Sequence, residues 1–264
     1  MADKSNSDHY QIKVVEKAIR LLRVLVDGKP RTLTEISHEI NINTSTTFRL
    51  LATLTNHNFT QFNEQTGEYR LGLACLELAV AYQTGNELLR VAHPELERLR
   101  DLTKETVHLA VLDDMEVIYI EKLEGLHAIG IMSSRVGKRA PAYCTGVGKM
   151  LLSHVDPQIL AQRVEPRNLE KYNDRTIVEP SLLLSNLAEA KRKGYALDSG
   201  EHENEVRCVA APVFDQRANV VAAISVSGPS SRLDPIDKNE DLIRLTTQVA
   251  KEISSKLGYQ SIYQ

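Results

Sequence analysis

Tryptophan is absent from the 264 residues of this chain, and cysteine occurs only three times, as Cys75, Cys144 and Cys208. An odd number of cysteines without Cys-x-x-Cys spacing indicates neither a disulfide framework nor a zinc finger. No apolar run approaches the roughly 20 residues of a membrane-spanning helix, and the N-terminus lacks the basic-then-apolar order of a secretory signal. We therefore expect a cytoplasmic protein with no membrane partner.

The chain also lacks a large net charge of either sign, since its formal net charge is -3 at pH 7. The first 75 residues carry nine Lys and Arg against eight Asp and Glu, so general positive charge does not indicate nucleic-acid binding. Hydrophobic residues make up 42% and charged residues 25%, which are the proportions of an ordinary globular protein. The length gives room for about two domains.

Two short helices joined by a tight turn are predicted in the first quarter of the chain. Thr32 and Glu35 have the spacing of a capping box, which would start a helix that runs to about Ile40. In the turn that follows, Asn41 tolerates a left-handed backbone, and Asn43 can cap the next helix. This layout is typical of a helix-turn-helix.

The second of these helices, from Asn43 to Asn56, has one apolar and one polar face at 100° per residue. Its polar face carries hydroxyl and amide groups and one guanidinium, which can donate to and accept from base edges in the major groove of DNA. The helix is therefore predicted to contact DNA with this face and to place the other in a core. The apolar arc comprises Thr47, Phe48, Leu50, Leu51, Leu54 and Thr55, and the polar arc comprises Ser45, Thr46, Arg49, Thr53 and Asn56.

Elements on both sides of this helix pair complete a small domain. An apolar stripe at residues 14–26 predicts a first helix packed behind the pair. Two short β-type runs, residues 59–62 and 68–71, predict a hairpin that forms a wing. Arg70 on this wing is either a solvated edge residue or a contact to phosphate or the minor groove. Together these elements predict a winged helix-turn-helix domain at residues 10–72.

Two further helices are predicted after the wing. One starts at Leu73, and the other runs from Asn86 to about Glu105, with Pro94 kinking it or marking its first turn. We interpret the two as the linker and dimerisation element, with residues 73–87 as the linker helix. The alternative for the second helix is that it belongs to the core of the second domain.

From Thr106 the hydrophobic period changes to two, which predicts strands, and a turn at residues 113–114 separates the first two of them. The mixture of strands and helices predicts an α+β domain with a largely antiparallel sheet at residues 88–260. The predicted strands cover about residues 107–112, 117–120, 129–133, 207–214 and 219–227, and the predicted helices cover about residues 146–154, 181–193 and 235–257.

Three features of the second domain indicate a site, and each has a structural alternative. The turn at residues 145–149 places glycines at an exposed helix start, which favours either a small-anion site or a tight packing turn. Ser225 and Ser227 share one face of an apolar strand, so they meet either a polar partner or the backbone. Cys208 is either one half of a Cys–His nucleophile pair or an inert small hydrophobe. The histidines lack metal-ligand spacing, and no cofactor is expected.

Several segments match, in order and spacing, the signatures of one known family: residues 34–36 and 43–51, KETVHL at 104–109, residues 141–149 with TGVGK at their end, VRCVAAPVFD at 206–215 and ISVSGP at 224–229. With these segments the chain resembles the IclR family of bacterial transcription regulators from about Val14 to Tyr259. In that family a glycine is common where Asn41 stands, and a basic residue is common where Thr44 stands.

The resemblance implies a GAF-like effector-binding domain, a homodimer that often pairs into a homotetramer, and control by a small metabolite, frequently an organic acid. From the helix faces and the resemblance together, the expected DNA-contacting residues are Thr34, Thr44, Ser45, Thr46, Arg49, Thr53 and Arg70. The effector-binding positions that the resemblance implies are Ile129, Met132, Gly146, Val147, Asp198, Val206, Cys208, Ser225 and Ser227.

We therefore expect a metabolite-responsive DNA-binding transcription regulator, specifically a repressor of catabolic genes that binds a pseudo-palindromic operator in double-stranded DNA. Its effector is expected to be a small organic acid such as a sugar acid or a hydroxy acid. Two alternatives belong to other classes of protein. One is an enzyme acting on a small acid with Cys208 in its site, and the other is a DNA-binding protein whose second domain only assembles oligomers.

Overall fold

The computed structural model describes residues 11–126, 132–164 and 169–260. The chain divides into two compact units between Asn86 and Glu87. Within the described ranges, no helix is both long enough and apolar enough to cross a membrane.

The first unit packs three helices against a small antiparallel sheet and ends in a fourth helix. Its core is formed by side chains from the first three helices and their C-terminal ends and from one strand, namely Leu21, Leu25, Ile36, Ile40, Leu50, Leu51 and Tyr69. Its elements are α1 (Lys13–Val24), β1 (Arg31–Thr32), α2 (Leu33–Glu39), α3 (Thr44–Asn56), β2 (Thr60–Asn63), β3 (Glu68–Leu71) and α4 (Leu73–Gly85).

The connection between α2 and α3 confirms the helix-turn-helix prediction. The backbone N–H of Thr32 donates to the Glu35 carboxylate at 2.8 Å, and the Thr32 hydroxyl accepts from the Glu35 N–H at 3.4 Å, which completes the capping box. Asn41 adopts a left-handed backbone with φ of 52°, and the Asn43 side chain accepts from the Thr46 N–H at 2.8 Å. Local capping thus sets both helix starts.

The predicted wing is present as the antiparallel hairpin of β2 and β3. Strand β1 pairs with the other edge of β3 and makes a third strand, which the sequence did not predict because two residues carry no periodicity. Gly67 has φ of 71° in the hairpin turn, a conformation that glycine adopts without steric penalty.

The assignment of Phe48 to the apolar arc of α3 is wrong, because its side chain is 54% exposed. The buried residues of α3 are Thr47, Leu50 and Leu51, and the Thr47 hydroxyl is satisfied by donating to the Asn43 carbonyl at 3.1 Å. Successive helical residues are about 100° apart, so the position after Thr47 falls outside this narrow core face. On α1 the buried stripe is narrow as well, since Val14 and Val15 are exposed, and Val26, beyond the end of the helix, is exposed too.

Helix α4 contains no buried residue over its whole length. It is nevertheless rich in large apolar side chains, and those that are exposed are Leu73, Leu76, Leu78, Val80 and Tyr82. An apolar helix surface of this kind in a water-exposed position is typical of a surface that another chain or domain covers.

The second unit is an α+β sandwich around one antiparallel sheet, as predicted. The strand order is β6-β5-β4-β9-β8-β7, and all neighbours are antiparallel. Its elements are α5 (Glu87–Thr103), β4 (Thr106–Asp113), β5 (Glu116–Leu123), β6 (Arg139–Pro141), α6 (Gly146–Leu152), α7 (Pro157–Val164), α8 (Pro180–Lys193), β7 (Ala196–Asp198), β8 (Val206–Phe214), β9 (Val220–Pro229), α9 (Ser230–Leu233) and α10 (Glu240–Lys256).

Helices cover both faces of this sheet. Helices α5 and α10 pack on one face, while α6, α7 and α8 form the core on the other. Leu89, Ala92, Leu96 and Leu99 of α5 are buried in the first of these cores. Helix α5 therefore belongs to the core of the second unit, which was the alternative to its interpretation as a dimerisation element. Pro94 lies inside this helix.

Several element boundaries differ from the sequence predictions. The expected helix at 235–257 is a short 3-10 turn, Ile236–Lys238, followed by α10, because Asn239 caps a new helix with its side chain. The expected strand at 129–133 falls partly outside the described residues, and Met132 and Ser133 lie in no strand. Strands β6 and β7 and helix α7 were missed, since segments this short show no clear period.

Candidate functional site

The exposed face of α3 is the candidate DNA-contacting surface in the first unit. Ser45, Arg49 and Thr53 are exposed along it, and Thr46 is half-buried at its edge. Among the described residues, no group forms a hydrogen bond or ion pair with the Arg49 guanidinium. All five of its N–H donors are therefore available to a base edge or a phosphate.

The other candidate DNA contacts lie on neighbouring elements. Thr34 and Thr44 are exposed in the first turns of α2 and α3, where backbone N–H groups lack helical partners and favour phosphate. On the wing, Arg70 donates from Nε and Nη2 to the Gln61 side chain across the hairpin, at 3.1 and 2.9 Å. This contact holds Arg70 extended on the exposed side of β3 and leaves further N–H donors for DNA.

A polar cavity lies in the second unit, on the α6 face of the sheet. Residues two apart on a strand share a face, so His108 of β4, Cys208 of β8 and the serines of β9 lie on the same side as Ala110, Ala210 and Ala223, which pack under α6. The residues that line the cavity are His108, Tyr119, Met132, Ser133, Ser134, Lys138, Ala140, Thr145, Gly146, Val147, Asp198, His202, Glu203, Val206, Cys208, Ser225 and Ser227.

Eight of the nine effector-binding positions that the resemblance implies line this one cavity. Ile129, the ninth, lies outside the described residues. The cavity volume is about 40 Å³, several times the roughly 10–15 Å³ that one water molecule needs. The cavity is partly open to solvent, and its polar side chains suit a small polar ligand.

The glycine turn before α6 contains one glycine that is required for packing and one that borders the cavity, and its role as a small-anion site stays a prediction. The start of α6 is not exposed as expected, because all seven residues of the helix are buried. Gly148 is a packing residue, since a Cβ there would stand 2.2 Å from the Ala142 carbonyl oxygen. Gly146 instead faces the cavity, where a Cβ would approach the Cβ of Cys208 to 3.1 Å. Glycine at 146 therefore keeps the cavity open.

His108 lines the cavity but is not among the positions predicted from the sequence. Its Nδ1 lies 3.3 Å from the Ser225 hydroxyl and 3.4 Å from that of Ser227, and its Nε2 lies 2.9 Å from the Ser134 hydroxyl. Register pairs His108 with Ser225 across β4 and β9. The one sequence signal for His108 was its spacing of two from Ala110, which indicates the face of the strand on which it lies but not the residue with which it forms a hydrogen bond. Tyr119, Lys138, His202 and Glu203 were missed as well.

Burial lowers the pKa of His108 to about 3, and the positive charge of Lys122 acts in the same direction. The imidazole is therefore neutral at physiological pH, with one ring nitrogen donating and the other accepting. Together with Ser225 and Ser227, it provides the cavity with a connected set of groups that can serve as either donors or acceptors.

Protonation of His108 is expected to destabilise the protein in acid. In the unfolded chain the imidazole takes up a proton near its ordinary pKa of 6.5, whereas in the folded chain it stays neutral down to about 3, so stability falls as the pH falls between these values. This group alone should lower the unfolding free energy by about 2 kcal/mol between pH 7 and pH 5. Urea titrations of the wild type and of His108→Gln at both pH values measure the difference. An equal loss in both proteins would contradict this expectation.

Asp198 supplies the only carboxylate among the candidate effector positions, and it is fixed in place by backbone donors. Its Oδ1 accepts from the N–H groups of Gly200 and Glu201, at 2.9 and 2.8 Å. Burial raises the pKa of Asp198, and the charge of Lys149 and these two hydrogen bonds oppose that shift. With both bonds on Oδ1, the other oxygen remains to accept from a ligand.

A buried ion pair lies directly behind this wall of the cavity. Lys149 of α6 pairs with Glu201, and their side chains are only 2% and 7% exposed. The second carboxylate oxygen of Glu201 has no hydrogen-bond partner among the described residues. Burial raises the pKa of Glu201, and the Lys149 charge opposes the shift. The pair ties α6 to the loop that positions Asp198.

Cys208 does not have the surroundings of a nucleophile. Its Sγ lies 2.6 Å from the Ser227 hydroxyl, and burial raises the pKa of the thiol well above its ordinary range, with the Asp198 charge adding to the shift. A thiolate nucleophile needs a lowered pKa. In the described part of the chain, no three His, Cys, Asp or Glu side chains are grouped closely enough to hold a metal ion.

A winged helix-turn-helix and a separate unit with a polar internal cavity define a DNA-binding regulator with its own ligand-binding domain. Residues 14–64 match the model of the IclR helix-turn-helix domain, and residues 80–255 match that of the bacterial transcriptional regulator IclR C-terminal region. The chain belongs to the IclR family. It is thus a transcription regulator and not an enzyme, which sets aside the interpretation of Cys208 as a catalytic residue.

Similar proteins extend over almost the whole chain. The HTH-type transcriptional regulator KdgR of Escherichia coli is 31% identical over 248 residues, which cover 94% of each chain. The HTH-type transcriptional repressor AllR of the same species is 33% identical over 252 residues, covering 94% of this chain and 92% of its own. The solved structure of an IclR homolog from Microbacterium hydrocarbonoxydans in complex with 4-hydroxybenzoate has 27% identity and a TM-score of 0.80, and the match covers 92% of this chain and 98% of that one.

Proposed function

We propose that this protein is a cytoplasmic repressor of catabolic genes, whose operator binding is controlled by a small organic acid carrying an extra hydroxyl or keto oxygen. The observation that carries this proposal is the cavity of the second unit, where eight candidate positions from separate elements meet. The 4-hydroxybenzoate complex of a homolog supports it, because that ligand is a hydroxy acid. AllR, the relative that is named a transcriptional repressor, supports the direction of control.

The chemistry of the cavity favours an acid with a hydroxyl group. Ser225 and Ser227 offer hydroxyl donors to a carboxylate, and the start of α6, where helix N–H groups lack helical partners, lines the opposite wall at Gly146. Asp198 repels a second carboxylate but can accept from a hydroxyl. Met132 lines the cavity and would cover the carbon skeleton of such a ligand. These contacts favour hydroxy acids and sugar acids over dicarboxylates.

On the DNA side, α3 enters the major groove and Arg49 contacts a base edge, with Ser45, Thr46 and Thr53 beside it. Thr34, Thr44 and Arg70 contact the phosphate backbone from α2, the start of α3 and the wing. Few Lys and Arg side chains are available for phosphate contacts on this surface, and a second copy of the chain doubles their number.

The apolar surface of α4 supports a homodimer, with the homotetramer as the further assembly that the family implies. Leu73, Leu76 and Val80 are exposed on this helix, and a self-complementary contact between two copies of α4 would bury them around a two-fold axis. A two-fold dimer presents two copies of α3, so the operator is a pseudo-palindrome.

The test begins with thermal melting of the protein against a panel of hydroxy acids, sugar acids, keto acids and aromatic acids. A true effector at 100 times its dissociation constant adds about 2.7 kcal/mol of stability. Titration calorimetry with the best acid then compares the wild type with the Ser225→Ala, Ser227→Ala double variant. Losing two donors in a dry cavity should weaken binding by about 1–3 kcal/mol, while affinity for a duplex selected from a random pool stays unchanged.

Wild-type affinity for the acid in the double variant would refute the cavity assignment. A preferred ligand that is cationic or lacks an acid group would refute the ligand class. If no acid in the panel stabilises the protein although it selects a pseudo-palindromic duplex, the remaining interpretation is a second unit that only assembles oligomers.

A further inference from the structure

Phe48 is an aromatic side chain on the face of α3 that is directed away from the core. It is 54% exposed, whereas Leu50 and Leu51 of the same helix are buried. Two of the other phenylalanines have ring partners, since Phe62 packs on Tyr69 with centroids 4.7 Å apart and Phe214 stacks on Tyr259. Phe48 has no aromatic partner among the described residues.

The exposed face of α3 has an apolar edge, which contains Phe48, and a polar edge. At about 100° per residue, Phe48 and the exposed Ala52 lie along one edge, and Arg49 and Thr53 lie along the other. The helix therefore presents an apolar strip next to a hydrogen-bonding strip. An isolated exposed apolar side chain needs no explanation, but this one lies on the same surface as the candidate base-contacting arginine.

The chemistry of DNA gives such a strip one specific partner. In the major groove, only thymine carries a methyl group on its edge, and apolar side chains recognise T·A pairs by contacting it. Helix α3 carries a single cation, Arg49, and no acidic residue. Sequence discrimination by this helix therefore depends on neutral contacts to a greater extent than in a strongly basic helix.

We infer that Phe48 packs against the 5-methyl group of a thymine in each operator half-site and makes the protein select T·A at that position. This inference rests on the proposed function, in which α3 enters the major groove. It adds a contact that is apolar and independent of the hydrogen bonds assigned to Arg49.

The test uses the full chain and a duplex that the protein itself enriches from a random pool. In that duplex, each thymine is replaced by deoxyuridine symmetrically in both half-sites, which removes the methyl group and nothing else. At one of these thymine positions, the replacement should weaken binding about fourfold for each half-site, because it removes one buried methyl group from the contact. Phe48→Ala should weaken binding to the thymine duplex by at least this factor and bind the thymine and uracil duplexes equally.

Two control variants make the result specific. Arg49→Ala should bind more weakly but keep the thymine preference, because it removes a different contact. Leu182→Ala, at a position of α8 that is 63% exposed in the second unit, should keep both the affinity and the preference. Phe48→Ala is expected to melt like the wild type, since the residue lies outside the core.

The outcomes separate this inference from the function on which it rests. If duplexes are enriched but no thymine-to-uracil change alters affinity, or if Phe48→Ala keeps the difference, the inference is wrong and the DNA-binding function stands. If no duplex is enriched above background, the proposed function fails, and the role of Phe48 fails with it.

Discussion

Replacing Lys149 with methionine is expected to lower the free energy of unfolding by about 3–5 kcal/mol. Methionine has a similar length but no charge, so the Glu201 carboxylate, whose side chain is 7% exposed, loses the only ion-pair partner that it has among the described residues. A buried charge without a partner is far less favourable than one in water. Urea unfolding of the wild type and the variant at pH 7 measures the difference.

Two comparisons establish that burial is the cause. Lys171→Met removes an ammonium whose partner, Asp174, is fully exposed, and it should leave the free energy of unfolding nearly unchanged because water screens such a pair. The double change Lys149→Met, Glu201→Leu removes both charges and should recover most of the loss, because apolar replacements of buried pairs are often neutral or stabilising. A loss below about 1 kcal/mol in the single variant would contradict the expectation.

Arg49→Ala is expected to weaken operator binding by about 1–3 kcal/mol for each half-site. The Arg49 guanidinium forms no hydrogen bond or ion pair with the described residues, so the substitution should remove a DNA contact without disturbing the fold. The preference at one base position of each half-site should relax in parallel. Gel-shift titrations with the selected duplex and its single-base variants measure both effects.

The matched control for this variant is Arg70→Ala on the wing. A phosphate contact should lower affinity for all sequences alike and reduce the salt dependence of binding, without changing base preference. Unchanged affinity and unchanged sequence preference in Arg49→Ala would refute the assignment of α3 as the helix that contacts bases.

The helix-turn-helix could be predicted because its signals are local. The Thr32–Glu35 capping box and the left-handed Asn41 each act within a few residues, and both occur as expected. The strands of the second unit were equally accessible, since the short apolar runs that begin at Val107 and end at turns indicate strands without knowledge of their partners. Phe48 was misplaced because helical periodicity gives an angle but not the width of the buried arc.

The interior of the second unit depends on contacts that no single segment specifies. His108 meets Ser225 only because of the register between β4 and β9, and neither strand determines that register alone. Lys149 and Glu201 are 52 residues apart in sequence, and the glycine turn gave no sign that its lysine would be buried. The resemblance to a family found the cavity positions, but the hydrogen bonds among them came only from the fold.

Helix α4 has a thermodynamic consequence that follows from its complete lack of buried residues. An isolated helix of its length is only marginally stable in water, so its folding is coupled by mass action to whatever covers its apolar surface. If that cover is a second copy of the chain, the helix content of the protein depends on its concentration. Dilution below the dissociation constant should then unwind α4, while the hydrophobic cores of both units, to which α4 contributes no buried residue, remain folded.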